Sequence, residues 1–200
     1  MDMEPRSTER VLSLPSRGGR LAENGVFGMA IAVFVEIMLF AGFISAFLIV
    51  RDSTPPGLWP PPDQPRLPFA RTAVNTAMLL ASGVVLFMAH RAFSRRDEPA
   101  ATRLMGVSIL MGGFFVVAQG AEWVRLIAQG LTLTSSQLGS FFYTIVGAHG
   151  LHAAVALSVL TADWRLMRAG RLTGSAFGAV QLFWYFVVLM WPIIYLLVYR

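Results

Sequence analysis

The sequence predicts an all-α integral membrane protein with five transmembrane helices. Hydrophobic residues make up 56% of its 200 residues and charged residues only 14%, which is too apolar a composition for a soluble domain. Long apolar runs recur along the chain, and each is close to or above the roughly 20 residues that a helix needs to cross a bilayer. Arginines are concentrated between these runs, as expected for the loops of a polytopic protein.

A polar tail at residues 1–25 precedes a single five-helix domain at residues 26–200. The tail carries charges of both signs and lacks the short apolar segment and small-residue cleavage site of a signal peptide, so we expect it to stay in the cytoplasm. The transmembrane spans are predicted at residues 26–50, 73–93, 104–127, 138–167 and 174–199.

The first span contains a single ionisable residue, Glu36, near its middle. A carboxylate at that depth costs about 2.5–3.5 kcal/mol or more, so we expect Glu36 to be neutral, paired or turned toward other helices. Gly42 and Ala46 form a small-xxx-small pair in the same span. This pair predicts that a neighbouring helix packs closely there.

The loop at residues 51–71 holds seven of the eleven prolines of the chain. Proline cannot continue a helix and favours extended polyproline geometry, so the sequence predicts an ordered or semi-rigid loop on the outer side. This loop is either a docking surface or a plain connector. Trp59 within it suits a membrane interface or a partner's pocket.

The distribution of arginine predicts the orientation. All 16 basic residues are arginines; eleven lie in the N-terminal tail, the second loop and the fourth loop, and five lie on the other side. By the positive-inside rule, the N-terminus is cytoplasmic and the C-terminus is periplasmic. Because the arginines lie between apolar runs and form no stripe, the net charge of +5 reflects topology and not nucleic-acid binding.

Polar residues inside the spans are the candidate functional residues, because such residues are costly in lipid. Gln119 and Glu122 lie three apart on one face of the third helix, and Arg125 continues that face. They form either an interfacial Glu122–Arg125 ion pair or part of a functional network. His149 and His152 lie three apart on the fourth helix, and both are expected to be neutral at that depth.

Residue counts from the span ends place Glu36, His149 and His152 at a similar depth. We therefore predict a buried polar network formed by Glu36, Gln119, Glu122, His149 and His152. A metal or haem site is disfavoured. The chain has no cysteine, the two neighbouring histidines cannot clasp a haem iron from opposite sides, and His90 lies near the other membrane surface. No catalytic residue and no metal ligand set is predicted.

Several short motifs follow one another along the chain. They are the glutamate of V-E-I-M-L-F-A-G-F, Trp59 to Pro62, Val74 to Thr76, Ser82, the set Gln119, Gly120, Glu122 and Trp123, the pair Phe142 and Tyr143, and Gly147 to His152. Together they resemble subunit III of the haem-copper oxidases, in its short five-helix bacterial form. Each motif is weak alone, but their order on the expected spans, from about Val26 to Tyr199, makes the match specific.

This resemblance implies a non-catalytic accessory subunit of a respiratory terminal oxidase in the cytoplasmic membrane of a bacterium. Such a chain would pack against the haem- and copper-bearing subunit I, with subunit II and others in the same complex. It would bind phospholipid in a cleft between its first two helices and the rest, and it would support proton uptake. Haem and copper would lie in the partner subunits. The residues expected to contact lipid or a partner are Trp59, Arg71, His90, Arg125, Trp184, Tyr185 and Trp191.

The last span departs from the family pattern Y-W-H-F-V-D. Tyr185 stands where the family usually has His, and Val188 stands where it usually has Asp. This departure is consistent with a branch that serves a different catalytic subunit, such as that of a nitric oxide reductase. Another alternative is a stand-alone proton or solute carrier that uses Glu36, Glu122 and the histidines as its path. The five spans, however, show no internal repeat of the kind that carriers have.

The arginine distribution predicts the outcome of reporter fusions. A reporter that is active only outside the cytoplasm should work when fused at the C-terminus and fail when fused in the loop at residues 94–102. A reporter that fluoresces only in the cytoplasm serves as the control and should give the inverse result. The opposite pattern in whole cells would overturn the orientation, and with it the depth argument for Glu36.

Overall fold

Five long helices account for almost all of the described chain. The computed structural model describes residues 17–55, 58, 59, 65, 67 and 69–199. The helices are α1 (Arg17–Ser53), α2 (Phe69–Ser94), α3 (Glu98–Ala128), α4 (Gln137–Arg168) and α5 (Gly174–Val198). Each contains a stretch long and apolar enough to cross a membrane. The predicted all-α fold with five spans is confirmed, whereas the orientation of the termini stays a prediction.

The helices extend beyond the apolar runs that predict them. Helix α1 begins at Arg17, inside the segment expected to be a tail, and α3 begins at Glu98. The start of α3 is fixed by capping, since the Asp97 side chain accepts a hydrogen bond from the Ala100 N–H at 3.1 Å and Pro99 stands in the first turn. Hydrophobicity thus marks the part of each helix suited to lipid, while the polar N-caps Asp97, Ser136 and Thr173 set where α3, α4 and α5 begin.

Helix α5 lies at the centre of the bundle. It packs against α1, α2 and α4, while α3 packs against α2 and α4. In its most apolar stretch 56% of the residues are buried, against 17% in α1. Helix α1 therefore sits at the edge of the bundle and presents most of its surface outward.

The first two helices do not form a pair. Helix α1 contacts α5 and α4, and α2 contacts α3 and α5, with no contact between α1 and α2 in the described residues. The cleft between a two-helix unit and the rest, implied by the family resemblance, is therefore not found among them. The small pair Gly42 and Ala46 is exposed on α1, and a Cβ at Gly42 would meet no atom within 4 Å. The Gly42 and Ala46 pair predicts a closely packed neighbouring helix, and that helix is not α2, α3, α4 or α5.

Two tryptophans of α5 form the middle of the core. Trp184 and Trp191 are fully buried. Trp184 Nε1 donates a hydrogen bond to Ser82 Oγ at 3.3 Å, and Trp191 Nε1 donates to Thr76 Oγ1 at 2.8 Å. Both residues were expected to contact lipid or a partner. That expectation is wrong for this chain, because both indoles tie the central helix to α2 and do not reach the surface.

Close packing on Trp184 predicts different outcomes for two neighbouring glycines of α3. A Cβ at Gly112 would lie 2.6 Å from the Trp184 ring, whereas a Cβ at Gly113 would meet only Leu157 at 3.9 Å. Gly112→Ala should lower the free energy of unfolding by about 1–3 kcal/mol through overpacking. Gly113→Ala is the matched control and should be neutral or slightly stabilising, because alanine favours a helix.

Thermal unfolding of the two variants in the same detergent measures the difference. Equal melting temperatures for Gly112→Ala and Gly113→Ala would contradict the packing described here.

Candidate functional site

A carboxyl–imidazole pair joins α1 to α4 within the bundle. Glu36 Oε2 lies 3.0 Å from His152 Nε2, and no other described group offers this oxygen a hydrogen bond. The rings of Phe40, Phe186 and Phe183 lie within 5.6, 6.0 and 6.3 Å of the imidazole, measured between ring centroids. Side-chain exposures of 29% for Glu36 and 17% for His152 place the pair at the rim of the helix contact, not in the deep core.

The other ring nitrogen of His152 fixes how this pair holds protons. His152 Nδ1 lies 2.7 Å from the Ala148 carbonyl oxygen, which can only accept, so Nδ1 carries a hydrogen. Without a further proton, the lone pair of Nε2 would face a carboxylate at 3.0 Å, which is repulsive. A single proton shared by the two facing atoms would relieve this repulsion, and with it the pair carries no net charge whichever atom holds it.

A second polar group links α3 to α2 and to the end of α5. Gln119 Nε2 donates to Tyr199 Oη at 2.7 Å, and Asn75 Nδ2 donates to Gln119 Oε1 at 3.2 Å. All three residues are buried. Burial raises the pKa of Tyr199, so its hydroxyl stays neutral and accepts from Gln119. These hydrogen bonds connect three helices through neutral groups alone.

Glu122 lies between two arginines near the end of α3. Its Oε1 accepts a hydrogen bond from Arg125 Nη1 at 2.7 Å and lies 3.7 Å from Arg71 Nη1. The ion pair that the i, i+3 spacing predicts is therefore present, and an arginine of α2 joins it. The Glu122 side chain is 15% exposed, and those of Arg71 and Arg125 are 71% and 57% exposed. One carboxylate thus faces two outward guanidinium groups.

His149 is buried without a polar partner. Its side chain is 1% exposed, and neither ring nitrogen makes a hydrogen bond with a described group. Its ring lies 5.0 Å from the Trp191 ring and 6.3 Å from the rings of Phe115 and Phe40, between centroids. Since buried polar groups are almost always hydrogen-bonded, this imidazole is an exception that requires a cause.

The similarity of the chain to known proteins extends over all five helices. A family model described as cytochrome c oxidase subunit III matches residues 20–200. This chain belongs to the cytochrome c oxidase subunit III family. The family named from the sequence motifs is thereby confirmed.

Relatives in this family come from bacteria and vertebrates. The cytochrome c oxidase subunit 3 of Synechocystis is 31% identical over 178 residues, which cover 87% of this chain and 74% of that protein. The probable cytochrome c oxidase subunit 3 of Mycobacterium leprae is 31% identical over 175 residues, covering 86% and 85%. The cytochrome c oxidase subunit 3 of Petromyzon marinus is 31% identical over 180 residues, covering 86% and 68%.

In this subunit III chain the predicted polar network is divided. Among the described residues no hydrogen bond joins the Glu36–His152 pair, the Gln119 group and the Glu122 cluster, and His149 stands apart. The single network predicted from depth is therefore wrong. The reason is the position of α1, which packs on α4 and α5 and so brings Glu36 to His152, far from the α2–α3 contact that holds Gln119.

Asn75 and Tyr199 are members of the Gln119 group that the sequence analysis missed. The signal was available for Asn75, because an amide inside an apolar run carries the same cost as Gln119. Tyr199 gave no such signal, because a tyrosine at the end of a span usually marks the membrane interface.

The remaining predicted contact residues lie at scattered places. The ring of Trp59 lies 5.7 Å from that of Phe47, so the described part of the loop between α1 and α2 returns to the end of α1. His90 packs its ring 5.0 Å from Phe177, and its buried Nδ1 makes no hydrogen bond with a described group. Tyr185 Oη accepts a hydrogen bond from Gln181 Nε2. No three His, Asp or Glu side chains of the described chain come together as metal ligands would.

The Glu36–His152 pair predicts an asymmetric response to substitution. Glu36→Leu leaves His152 Nε2 without a partner and should lower the free energy of unfolding by about 1–3 kcal/mol. Replacing both residues, as Glu36→Leu with His152→Phe, should restore most of that loss, because no unpaired polar group remains. Denaturant unfolding in detergent measures both values.

Met38→Leu is the matched control, since Met38 is 61% exposed on the same helix. A loss in Glu36→Leu no greater than that in Met38→Leu would show that the pair does not stabilise the bundle.

Proposed function

We propose that this chain is the non-catalytic accessory subunit III of a respiratory haem-copper terminal oxidase in a bacterial cytoplasmic membrane. It contains no catalytic centre of its own and serves an oxidoreductase complex by stabilising the catalytic subunit. Membership of the subunit III family over residues 20–200 is the observation that carries this proposal. Haem and copper belong to partner subunits, chiefly subunit I, with subunit II in the same complex.

The edge helix α1 supports a protein partner within the membrane. The Glu36 side chain is 29% exposed near the middle of a helix whose surrounding residues are apolar. A polar group is costly against lipid at that depth, so a second chain is the better cover. The exposed Gly42 and Ala46 on the same helix allow another backbone to approach closely. We assign this face of α1 to the contact with the catalytic subunit.

The Glu122 cluster supports phospholipid binding. Arg71 and Arg125 share one carboxylate, so the cluster has a net charge of about one positive unit. A depression of about 120 Å³ beside it is lined by Arg71, Glu122 and Gln119. A basic pocket at the end of membrane helices suits the phosphate of a lipid headgroup.

One observation favours a second candidate, a subunit III-like partner of a nitric oxide reductase. Val188 packs against Gly83, where an added Cβ would lie 3.1 Å from its side chain, and Tyr185 is bonded to Gln181 within its own helix. These residues replace the family's usual Asp and His, so any polar contact made there by a usual partner is lost. A stand-alone carrier is less well supported, because Glu36 and Glu122 belong to separate groups.

Gentle purification through an affinity tag on this chain tests the proposal. An oxidase subunit I identified by mass spectrometry should co-purify, together with a haem Soret absorbance that disappears when harsh detergent strips the partners away. Copper measured by elemental analysis should accompany the haem if the partner is a haem-copper oxidase. Recovery of the intact chain with no haem protein would overturn the accessory-subunit proposal.

A further inference from the structure

A cavity of about 360 Å³ lies between α3 and α4. Its walls are apolar and aromatic, with Phe115, Trp123 and Trp191 among them. Gly120 and Gly147 also line it, and a Cβ at either position would meet no atom within 4 Å. The volume is within the range of small-molecule sites, about 300–1,000 Å³, and such sites combine apolar walls with a few polar groups.

Two buried polar groups line this cavity without a hydrogen-bond partner. They are the His149 ring, at both nitrogens, and Trp123 Nε1. Elsewhere in the bundle the indole nitrogens of Trp184 and Trp191 donate to hydroxyl groups at 3.3 and 2.8 Å. Other unpaired buried atoms of the described chain, such as His90 Nδ1 and Asp163 Oδ2, lie elsewhere, but three of them, both nitrogens of His149 and Trp123 Nε1, belong to residues that line this one cavity. They mark it as a binding site, because a buried polar group is stable only when it is paired.

The residues that line the cavity also determine the charge of a ligand that could bind there. No Asp, Glu or Arg side chain contributes to the wall, so neither a charged headgroup nor a metal ion is matched there. A neutral imidazole offers one N–H donor and one acceptor, and an indole offers one donor. The complementary ligand is uncharged and largely apolar, with oxygen atoms that accept hydrogen bonds.

We propose that this cavity binds the ring of a membrane quinone. A quinone ring is flat and neutral, so it can stack on the aromatic wall while its carbonyl oxygens accept hydrogen bonds from Trp123 and His149. Water fits less well, because each molecule needs two to four polar partners and the cavity supplies few. A lipid acyl chain would fill the volume but leave the imidazole and the indole unpaired. The proposal concerns binding only and does not depend on which complex the chain joins.

Photolabelling tests this on the full-length chain, purified in nanodiscs with the partners that remain bound. The probe is an azido-1,4-benzoquinone with a decyl tail, and the competitor is the same quinone without the azide. Peptide mapping should place saturable, competed labelling at residues 120–123 or 147–153. A diazirine-bearing phospholipid, used in parallel, reports an acyl chain in the same place.

Three variants identify the site. Gly147→Leu fills the cavity and should reduce quinone labelling about tenfold or more. Ala154→Leu should not, because Ala154 is exposed on the same helix and does not line the cavity. His149→Phe keeps an aromatic ring beside Trp191 but removes both nitrogens, and should weaken quinone labelling by about tenfold. Each variant is compared with the wild type by melting temperature, so that loss of fold is recognised.

The labelling results distinguish a quinone from a lipid tail in the cavity. Labelling that is not saturable, or that falls equally in Ala154→Leu, would overturn the site. Unchanged quinone labelling in His149→Phe, or competition by phospholipid alone, would show a lipid tail in the cavity and overturn the quinone assignment. Labelling reduced by Gly147→Leu and by His149→Phe, but not by Ala154→Leu, supports it.

Discussion

Hydrogen bonds between the central helices are the constraint on which this structure depends. In a membrane the removal of apolar surface from water supplies little force between helices, so packing and polar links decide which helices meet. Trp184 donates to Ser82 on α2, and Ser108 Oγ of α3 donates to the Ser82 carbonyl at 2.9 Å. Three helices thus converge on one serine. The small Gly112 beside Trp184 lets the indole lie in this position.

A second set of hydrogen bonds between helices lies further along the bundle. Trp191 donates to Thr76, and Thr76 Oγ1 in turn donates to the Thr72 carbonyl at 2.7 Å. The Gln119 group lies beside it and joins α2, α3 and the end of α5. The polar residues that make these links are neutral, which suits a low-dielectric interior where an unpaired charge is costly. Two further ionisable groups have partners: Glu122 lies between two arginines at the helix end, and Glu36 faces His152.

Much of the architecture could be predicted from the sequence, because each span is an independent run of apolar residues. The number of helices follows from the number of apolar runs. The Glu122–Arg125 pair follows from the spacing of the two residues along one helix. What spacing could not supply was the arrangement of helices around one another. Glu36 was expected near both histidines, and only the placement of α1 against α4 shows that His152 is its partner.

The tryptophans of α5 were misassigned for the same reason. Aromatic residues near span ends usually mark the membrane interface, and nothing local distinguishes an interfacial indole from one that crosses to another helix. A clue was present in composition, since α5 is apolar on all sides, as a helix surrounded by others should be. The unpaired His149 could not have been foreseen, because its lack of a partner is a property of three neighbouring helices together.

The edge position of α1 has a consequence for biogenesis. Its main packing partner is α5, so α1 is held by a helix that is synthesised well after it. Until α5 is inserted, α1 has only its slight contact with α4, and the surface that will meet α5 is open to lipid or to chaperones. The packing of α1 onto the bundle is therefore completed only once α5 is inserted. A chain truncated before α5 would lose its central helix and most of the packing of α1 together.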